Sequence, residues 1–435
     1  MLKHPDFMIN QREITLEIIK KSQKGEDLVE LVENQKNLEP QEYGFIKSIS
    51  FGTIRYIMRL DYIIKKLSKI KFSKIHIDIL NIMRMSLYQL IYMGHIPESA
   101  VVNESVKLAK KYGNKGSVGF VNGSLRNFIR NREKFLEIDY KTDLDRLSIE
   151  HSYPIWIIEE IEKAYESENL EEILIKFNEP SKFVIRANSL KISREDLKSR
   201  LENLGFKVEF TKVSNDGLVI ENPRGIFEST PYTEGLFYVQ SESSQLVGQL
   251  AVENAKFENI LDLCSSPGGK ISHIYEVLKG KGNYIAADVN EEKIRIIDEN
   301  FKRLGISDVR LVVNDGTILN ENLKNDYDLI ILDVPCSALG LMSKFPQIKY
   351  SKSSDDLMEL SVIQQKILNN AKEYLKPGGK LIYSTCTFTL IENEDVLYKF
   401  LQENKNFSME KEISKISPLD FDSDGFTIGV MIKDE

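Results

Sequence analysis

Apolar residues recur at helical spacing through the first third of the chain, from about residue 5 to 135. In segment 77–94, Ile79, Ile82, Met83, Leu87, Leu90 and Ile91 mark one face of a helix. Gly94 and Pro97 punctuate that run, and segment 99–113 resumes the period before Gly113 and Gly116 interrupt it again. The pattern predicts an all-α domain over 1–140. Residues 141–235 then mix a helix at 152–165 with short strands at 182–188, 207–210 and 217–221, which reads as a small α+β module. Pro223, Gly225, Pro231 and Gly235 make a turn-rich stretch into the last part. Over 236–435 apolar strands alternate with helices, the pattern of a doubly wound α/β domain. Its strands are predicted at 259–264, 283–288, 309–315, 328–333 and 380–386, and its helices near 269–279, 291–304, 356–375 and 392–403.

Charge alters this picture because it is unevenly spread. The whole chain carries −8, yet residues 1–140 hold 23 Lys and Arg against 16 Asp and Glu, a balance of +7, and the remainder carries −15. Only the front part has the sign that attracts phosphate, so affinity for RNA is expected to begin there. The three cysteines, Cys264, Cys336 and Cys386, form neither a disulfide framework nor a CxxC pair. The five histidines lack ligand spacing, and no metal is expected. The opening MLKHPDFMINQR places charges where a signal peptide needs an apolar run, and no stretch has the length and apolarity of a membrane span. The expectation is a cytoplasmic, monomeric protein with no membrane partner.

In open parallel sheets, ligands sit beyond the carboxyl ends of the strands, so those ends are where chemistry belongs. The first reads LDLCSSPGGK (261–270): an Asp, a Pro-Gly-Gly turn that lets backbone approach a ligand, and a helix N-terminus that favours a carboxylate. That arrangement suits the methionine end of S-adenosylmethionine. Asp288 ends the next strand, where an acidic residue grips ribose hydroxyls, and Asp315 and Asp333 end the third and fourth. No G-x-G-x-x-G and no P-loop occurs. Two cysteines occupy adjacent strand ends, Cys336 beside Asp-Val-Pro and Cys386 in YSTC. A lone cysteine in such a place is more often a small buried hydrophobe, but a pair suits covalent catalysis.

These motifs together resemble the RsmB/Sun (Fmu) ribosomal RNA cytosine-C5 methyltransferases of the NOL1/NOP2/Sun group. LDLCSSPGGK resembles their cofactor loop, DVPCS their base-binding motif, and STC followed by Glu392-Asn393 their nucleophile motif. VQSESSQLV (239–247) and FVIRANSLK (183–191) are similar to the segments ahead of the catalytic fold. IPESAVVNESVKLAK (96–110) and GFVNGSLRNFIR (119–130) are similar to the NusB-like RNA-binding domain. The resemblance implies a NusB-like all-α domain, a small linker module and a Rossmann-like methyltransferase domain that uses S-adenosylmethionine and releases S-adenosylhomocysteine. Cytosine carbon 5 is a poor nucleophile until a thiolate adds to carbon 6. The resemblance assigns that thiolate to Cys386, with Cys336 helping to remove the carbon 5 proton and Asp333 bonding or protonating the ring nitrogen through a carboxyl of raised pKa. It places Cys264, Ser265, Ser266, Pro267, Gly268, Gly269, Lys270, Asp288, Asp315 and Asp333 along the cofactor. A cation or helix dipole that lowers the thiol pKa is expected, with Lys270 and Lys344 as candidates.

The implied substrate is small-subunit (16S) ribosomal RNA. Transfer RNA, or a non-catalytic NusB-like RNA-binding or antitermination role, are the alternatives. Departures from the family pattern occur at Ser265-Ser266, usually alanines, at Ala338-Leu339, usually Gly-Thr, and at Phe345-Pro346-Gln347, usually His-Pro-Asp. They bear on the shape expected for the base pocket.

Overall fold

The structure, a computed structural model, describes residues 11–166, 169–253, 257–324 and 327–434. The first residues of the expected helical stretch, and most of the opening segment MLKHPDFMINQR, lie outside the described residues. The chain forms two compact units, one of residues up to 159 together with Phe345–Ser351, the other of Glu160–Lys344 and Lys352–Glu435.

The first unit is all helical. Helices Gln11–Ser22, Pro40–Arg55, Ile57–Leu67, Ile77–Tyr92, Glu98–Tyr112 and Lys115–Arg130 are its longest. Ile77–Tyr92 is buried over most of its surface: Ile79, Ile82, Met83, Leu87 and Leu90 join the core, and Ile91 is half-buried against it. A helix apolar nearly all round belongs inside a bundle. Arg84, on the same helix, is buried because Asp61 accepts both of its forks at 2.6 and 2.7 Å. Among the described residues no helix is long and apolar enough to cross a membrane.

Residues Phe345–Ser351 pack into this helical unit. The Lys349 ammonium is fully buried, donates to the Arg55 carbonyl at 2.9 Å and sits 3.8 Å from the Tyr153 ring centroid. Burial, helped by the nearby Arg55 charge, holds its pKa well below the ordinary lysine value. The Phe345-Pro346-Gln347 departure therefore falls in a segment whose packing is with the helical bundle.

The second unit contains two sheets. Strands β1 (Phe183–Ala187), β2 (Lys207–Phe210), β3 (Gly217–Glu221) and β4 (Phe237–Val239) form a small antiparallel sheet in the order β2-β3-β1-β4. Helix Arg194–Asn203, capped by Ser193, lays Leu197 and Leu201 on Ile185, Val208, Leu218 and Ile220. At three residues β4 is too short to show a period, and the sequence pattern did not single it out.

The large sheet comprises β5 (Asn259–Asp262), β6 (Asn283–Asp288), β7 (Val309–Val313), β8 (Tyr327–Asp333), β9 (Leu375–Thr385), β10 (Phe407–Met409), β11 (Ser414–Ile416) and β12 (Phe426–Lys433). Its order is β10-β12-β9-β8-β5-β6-β7, with β11 also on β12. The strands from β9 to β7 run parallel, whereas β12 pairs antiparallel with β9 and makes the sheet mixed. Alternate residues of β8 feed two apolar layers, Leu329 and Ile331 on one face, Ile330 and Leu332 on the other. Such burial on both faces is what a parallel strand requires. The order reverses between β5 and β8, which puts a crevice at the carboxyl ends of those two strands.

Candidate active site

The loop after β5 lies at that switch point. Asp262, the last residue of β5, is fully buried, and burial pushes its carboxyl up to about 7. Its Oδ1 accepts from the Cys264 backbone N–H at 3.3 Å, while its Oδ2 has no hydrogen-bond partner among the described residues. The chain passes through Ser265, Ser266 and a cis Pro267 to Gly268, whose φ of +97° favours glycine. A Cβ on Gly269 would lie 2.8 Å from the Tyr238 ring, so the turn has room only for bare backbone. Helix Gly269–Val277 begins there without a side-chain cap.

Asp288, at the end of β6, accepts from the Ser266 N–H at 2.9 Å and from the Val289 N–H at 2.8 Å, and pairs with Lys293 at 3.0 Å. It therefore fastens the β5 loop to β6. Asp315, just beyond β7, accepts from both the N–H and the hydroxyl of Thr317, which lowers its pKa. Burial and neighbouring carboxylates push the Cys264 thiol well above its usual value, as suits a packing residue.

These residues fit the methyl donor the sequence implies. An unpartnered, buried carboxylate oxygen suits an ammonium, an uncapped helix N-terminus suits a carboxylate, and the glycines leave room for both.

At the next strand ends the structure brings Cys336 and Cys386 together, with 3.3 Å between their sulfurs. Their loops are locked by backbone. The Gly340 N–H donates to the Cys386 carbonyl at 3.1 Å, and the Gly425 N–H donates to the Gly340 carbonyl at 3.0 Å. A Cβ on Gly340 would fall 1.8 Å from the Gly425 oxygen, so this crossing admits no side chain. Ala338 takes the left-handed conformation at φ +59°, which explains why the family pattern has glycine there. The hydrogen bond with Cys386, and then burial, hold the Cys336 thiol well above its usual pKa.

Asp333 ends β8, and its carboxylate accepts from the Lys270 ammonium and from the Ser384 hydroxyl at 3.1 Å. Lys344 pairs with Asp424 at 2.6 Å. Both lysines considered as activators of Cys386 are thus engaged by carboxylates, and neither bonds to the sulfur. The Cys386 sulfur contacts the other thiol.

Asp262 and Glu392 fall within the sequence motifs, but the sequence assigned neither of them a role. Glu392 is fully buried and binds the Pro-Cys-Ser turn: it accepts from the Ser337 N–H at 2.7 Å, the Ser337 hydroxyl at 2.6 Å, the Thr389 hydroxyl at 2.8 Å and the Gln364 amide at 3.2 Å. Asn393 accepts from the Thr385 hydroxyl at 2.6 Å. Asp262 stood at a strand end and could have been ranked with the other acids. Nothing in the sequence marks Glu392 as buried.

A Rossmann-like sheet with a Pro-Gly-Gly turn at its switch point and acidic strand ends is the architecture expected of a methyltransferase, and comparison with known proteins places the chain in that class. Residues 249–425 match the model of the 16S rRNA methyltransferase RsmB/F family, residues 9–130 the NusB family and residues 153–226 the RsmF/B-like ferredoxin-like domain. The chain is 33% identical over 445 residues to the probable ribosomal RNA small subunit methyltransferase B of Bacillus subtilis (strain 168), covering 97% of this chain and 98% of that protein. It is 29% identical over 402 residues to the ribosomal RNA small subunit methyltransferase B of Proteus mirabilis (strain HI4320), covering 92% and 93%. The crystal structure of PH0851 shares the fold with a TM-score of 0.80, at 23% identity over 98% of this chain and all of that one. This chain belongs to the RsmB/F family of 16S rRNA methyltransferases, and it is an enzyme.

Proposed function

We propose that the protein methylates carbon 5 of a cytosine in small-subunit ribosomal RNA, with S-adenosylmethionine as donor and Cys386 as nucleophile. The observation that carries this reading is the pair of thiols 3.3 Å apart at the ends of β8 and β9, beside Asp333. The named activity of the Bacillus subtilis relative supports the RNA substrate.

In this reading the Cys386 thiolate bonds to carbon 6 of the cytosine, and the electron pair of the 5,6 double bond makes carbon 5 nucleophilic. When bound, S-adenosylmethionine supplies an electrophilic methyl group at its sulfonium. Asp333, oriented by Lys270 and Ser384, bonds the ring nitrogen through a proton that it carries or that the nitrogen gains as the thiolate adds. Once carbon 5 bears the methyl group, its proton passes to Cys336, which takes it as the thiolate after giving up its own proton to solvent. The freed electron pair restores the double bond and expels the Cys386 thiolate. Asp262 holds the donor's ammonium, Asp288 its ribose hydroxyls, and residues 264–270 with Asp315 complete the wall. The three functional parts divide near residues 140 and 235, with RNA gripped by the basic front part. The target base leaves any helical stack before the thiol can reach its face.

The test uses labelled S-adenosylmethionine and 16S ribosomal RNA. Cys386→Ala abolishes transfer, whereas Cys336→Ala leaves a protein–RNA adduct that survives a denaturing gel. An adduct with Cys386→Ala and none with Cys336→Ala would reverse the two roles. Undiminished transfer by Cys386→Ala would sink the mechanism.

A further inference from the structure

We infer that the lysine-rich crossing between helices Ile57–Leu67 and Ile77–Tyr92 is a docking strap for the phosphate backbone of an RNA strand. The inference rests on the RNA-substrate reading above and narrows it to one place.

Between Asp61 and Asp78 the chain contains no acidic residue and five lysines, Lys65, Lys66, Lys69, Lys71 and Lys74. Lys66 is committed internally, to the Glu137 carbonyl at 2.9 Å and Asp139 at 3.2 Å. The other four are exposed, and among the described residues none of them makes an ion pair. Elsewhere in the unit Lys20 pairs with Glu17 and Asp78, Lys107 with Glu104 and Lys111 with Glu13, while lysines without an ion pair among the described residues, such as Lys24, Lys36, Lys110 and Lys115, are scattered along the chain and not gathered within ten residues. The two acids that flank the strap are also occupied, Asp61 by Arg84 and Asp78 by Lys20. Neither flanking acid is therefore free to neutralise the four ammoniums.

The strap is also ordered, which distinguishes it from a loose basic tail. The Ser68 hydroxyl donates to the Ile70 carbonyl at 2.8 Å and accepts from the Ile70 N–H at 3.0 Å, fixing the turn. Residues Phe72–Lys74 close a turn of 3₁₀ helix, with the Lys74 N–H on the Lys71 carbonyl at 2.8 Å. Phe72 packs against the helical core and lies beneath the Lys65 ammonium, 5.0 Å from ring centroid to nitrogen. Ile70, 48% exposed at the tip, offers an apolar contact beside the cations. Unpaired ammoniums carried on an ordered backbone turn, with an apolar tip, fit a polyanion that also presents unstacked bases.

The test compares three full-length variants with the wild type for binding to a 16S ribosomal RNA transcript across a salt series, and for methyl transfer. Replacing Lys65, Lys69, Lys71 and Lys74 together by Gln lowers the slope of log affinity against log salt by about 3, at about 0.7–0.9 per phosphate contact. KM for RNA rises, and kcat at saturating RNA stays unchanged. Replacing the same four by Arg preserves the slope, which shows that charge at those positions is what acts. A control with the scattered lysines Lys24, Lys36, Lys110 and Lys115 changed to Gln loses clearly less. An unchanged slope in the Gln variant, or an equal loss in the control, overturns the strap. Should the wild type transfer no methyl group to ribosomal RNA while the slope still falls in the Gln variant, the strap stands and the catalytic reading fails.

Discussion

Arg186 offers a direct measure of how the small sheet steadies the loop and helix that follow β5. It leaves β1 fully buried and places its guanidinium on the helix that begins at Gly269. Its Nε and Nη2 donate to the two oxygens of Glu276 at 3.1 and 2.8 Å, its Nη1 to the Gly269 carbonyl at 2.7 Å and to Gln240, and its Nη2 also to the Ser272 hydroxyl at 3.0 Å. Glu276 is equally buried, and burial raises its pKa despite the facing cation. Arg186→Ala therefore strands a carboxylate in an apolar interior. Loss of one partner of a buried pair costs about 3–5 kcal/mol, a large part of the roughly 5–15 kcal/mol that holds a domain folded. Hydrogen exchange of the amides in Gly269–Val277 and β1 reads this as a fall of that size in opening free energy. Replacing both residues, Arg186→Met with Glu276→Leu, recovers most of the loss because no charge is left unpaired. Arg186→Lys recovers little, since one ammonium cannot reproduce the planar fork. A loss below about 1 kcal/mol in Arg186→Ala would refute the assignment, given the penalty known for uncompensated buried charge.

Other expected outcomes follow from the same geometry. Gly340→Ala drives a Cβ to 1.8 Å from the Gly425 oxygen and 2.8 Å from the Cys386 oxygen, separating the thiols; kcat falls on the order of 100-fold, while equilibrium dialysis shows S-adenosylmethionine binding retained. Glu392→Ala removes the acceptor for four donors around the Pro-Cys-Ser turn, at about 1–3 kcal/mol for each donor left unsatisfied, and calorimetry shows a lower melting temperature. If Asp262 holds the donor's ammonium as proposed, its carboxyl, pushed up to about 7, must ionise to do so. Affinity for S-adenosylmethionine measured by calorimetric titration thus rises as pH climbs through 7 and levels off above it, and Asp262→Asn removes the dependence. The same raised pKa lowers the stability of the ligand-free protein as pH climbs from about 4 to 7, because the unfolded chain gives up that proton first. A flat profile in denaturant titrations would contradict it.

The sequence by itself determined the kinds of element and their order. Period 3.6 in the front third and alternating strands and helices after 236 follow from which faces each element must bury, and burial is written in local composition. Strand ends carry the chemistry of an open sheet, so LDLCSSPGGK, Asp288, DVPC and STC could be read as candidate site residues before any contact was known. Contacts between distant residues were decided only by the tertiary structure. Cys336 and Cys386 are 50 residues apart in the chain, and only the parallel pairing of β8 with β9 sets them side by side. Glu392 and Arg186 bind partners 55 and 90 residues away, and no local period signals a buried charge. A closing strand could be read at 424–433, but its antiparallel pairing with β9, and the three-residue β4 altogether, depend on the sheet edges they join. Lys270 and Lys344 looked equally free in the sequence, and packing gave each a carboxylate. The raised carboxyl pKa at Asp262 belongs to the same group of effects, because desolvation depends on every element that closes around a residue and on none of its neighbours in sequence alone.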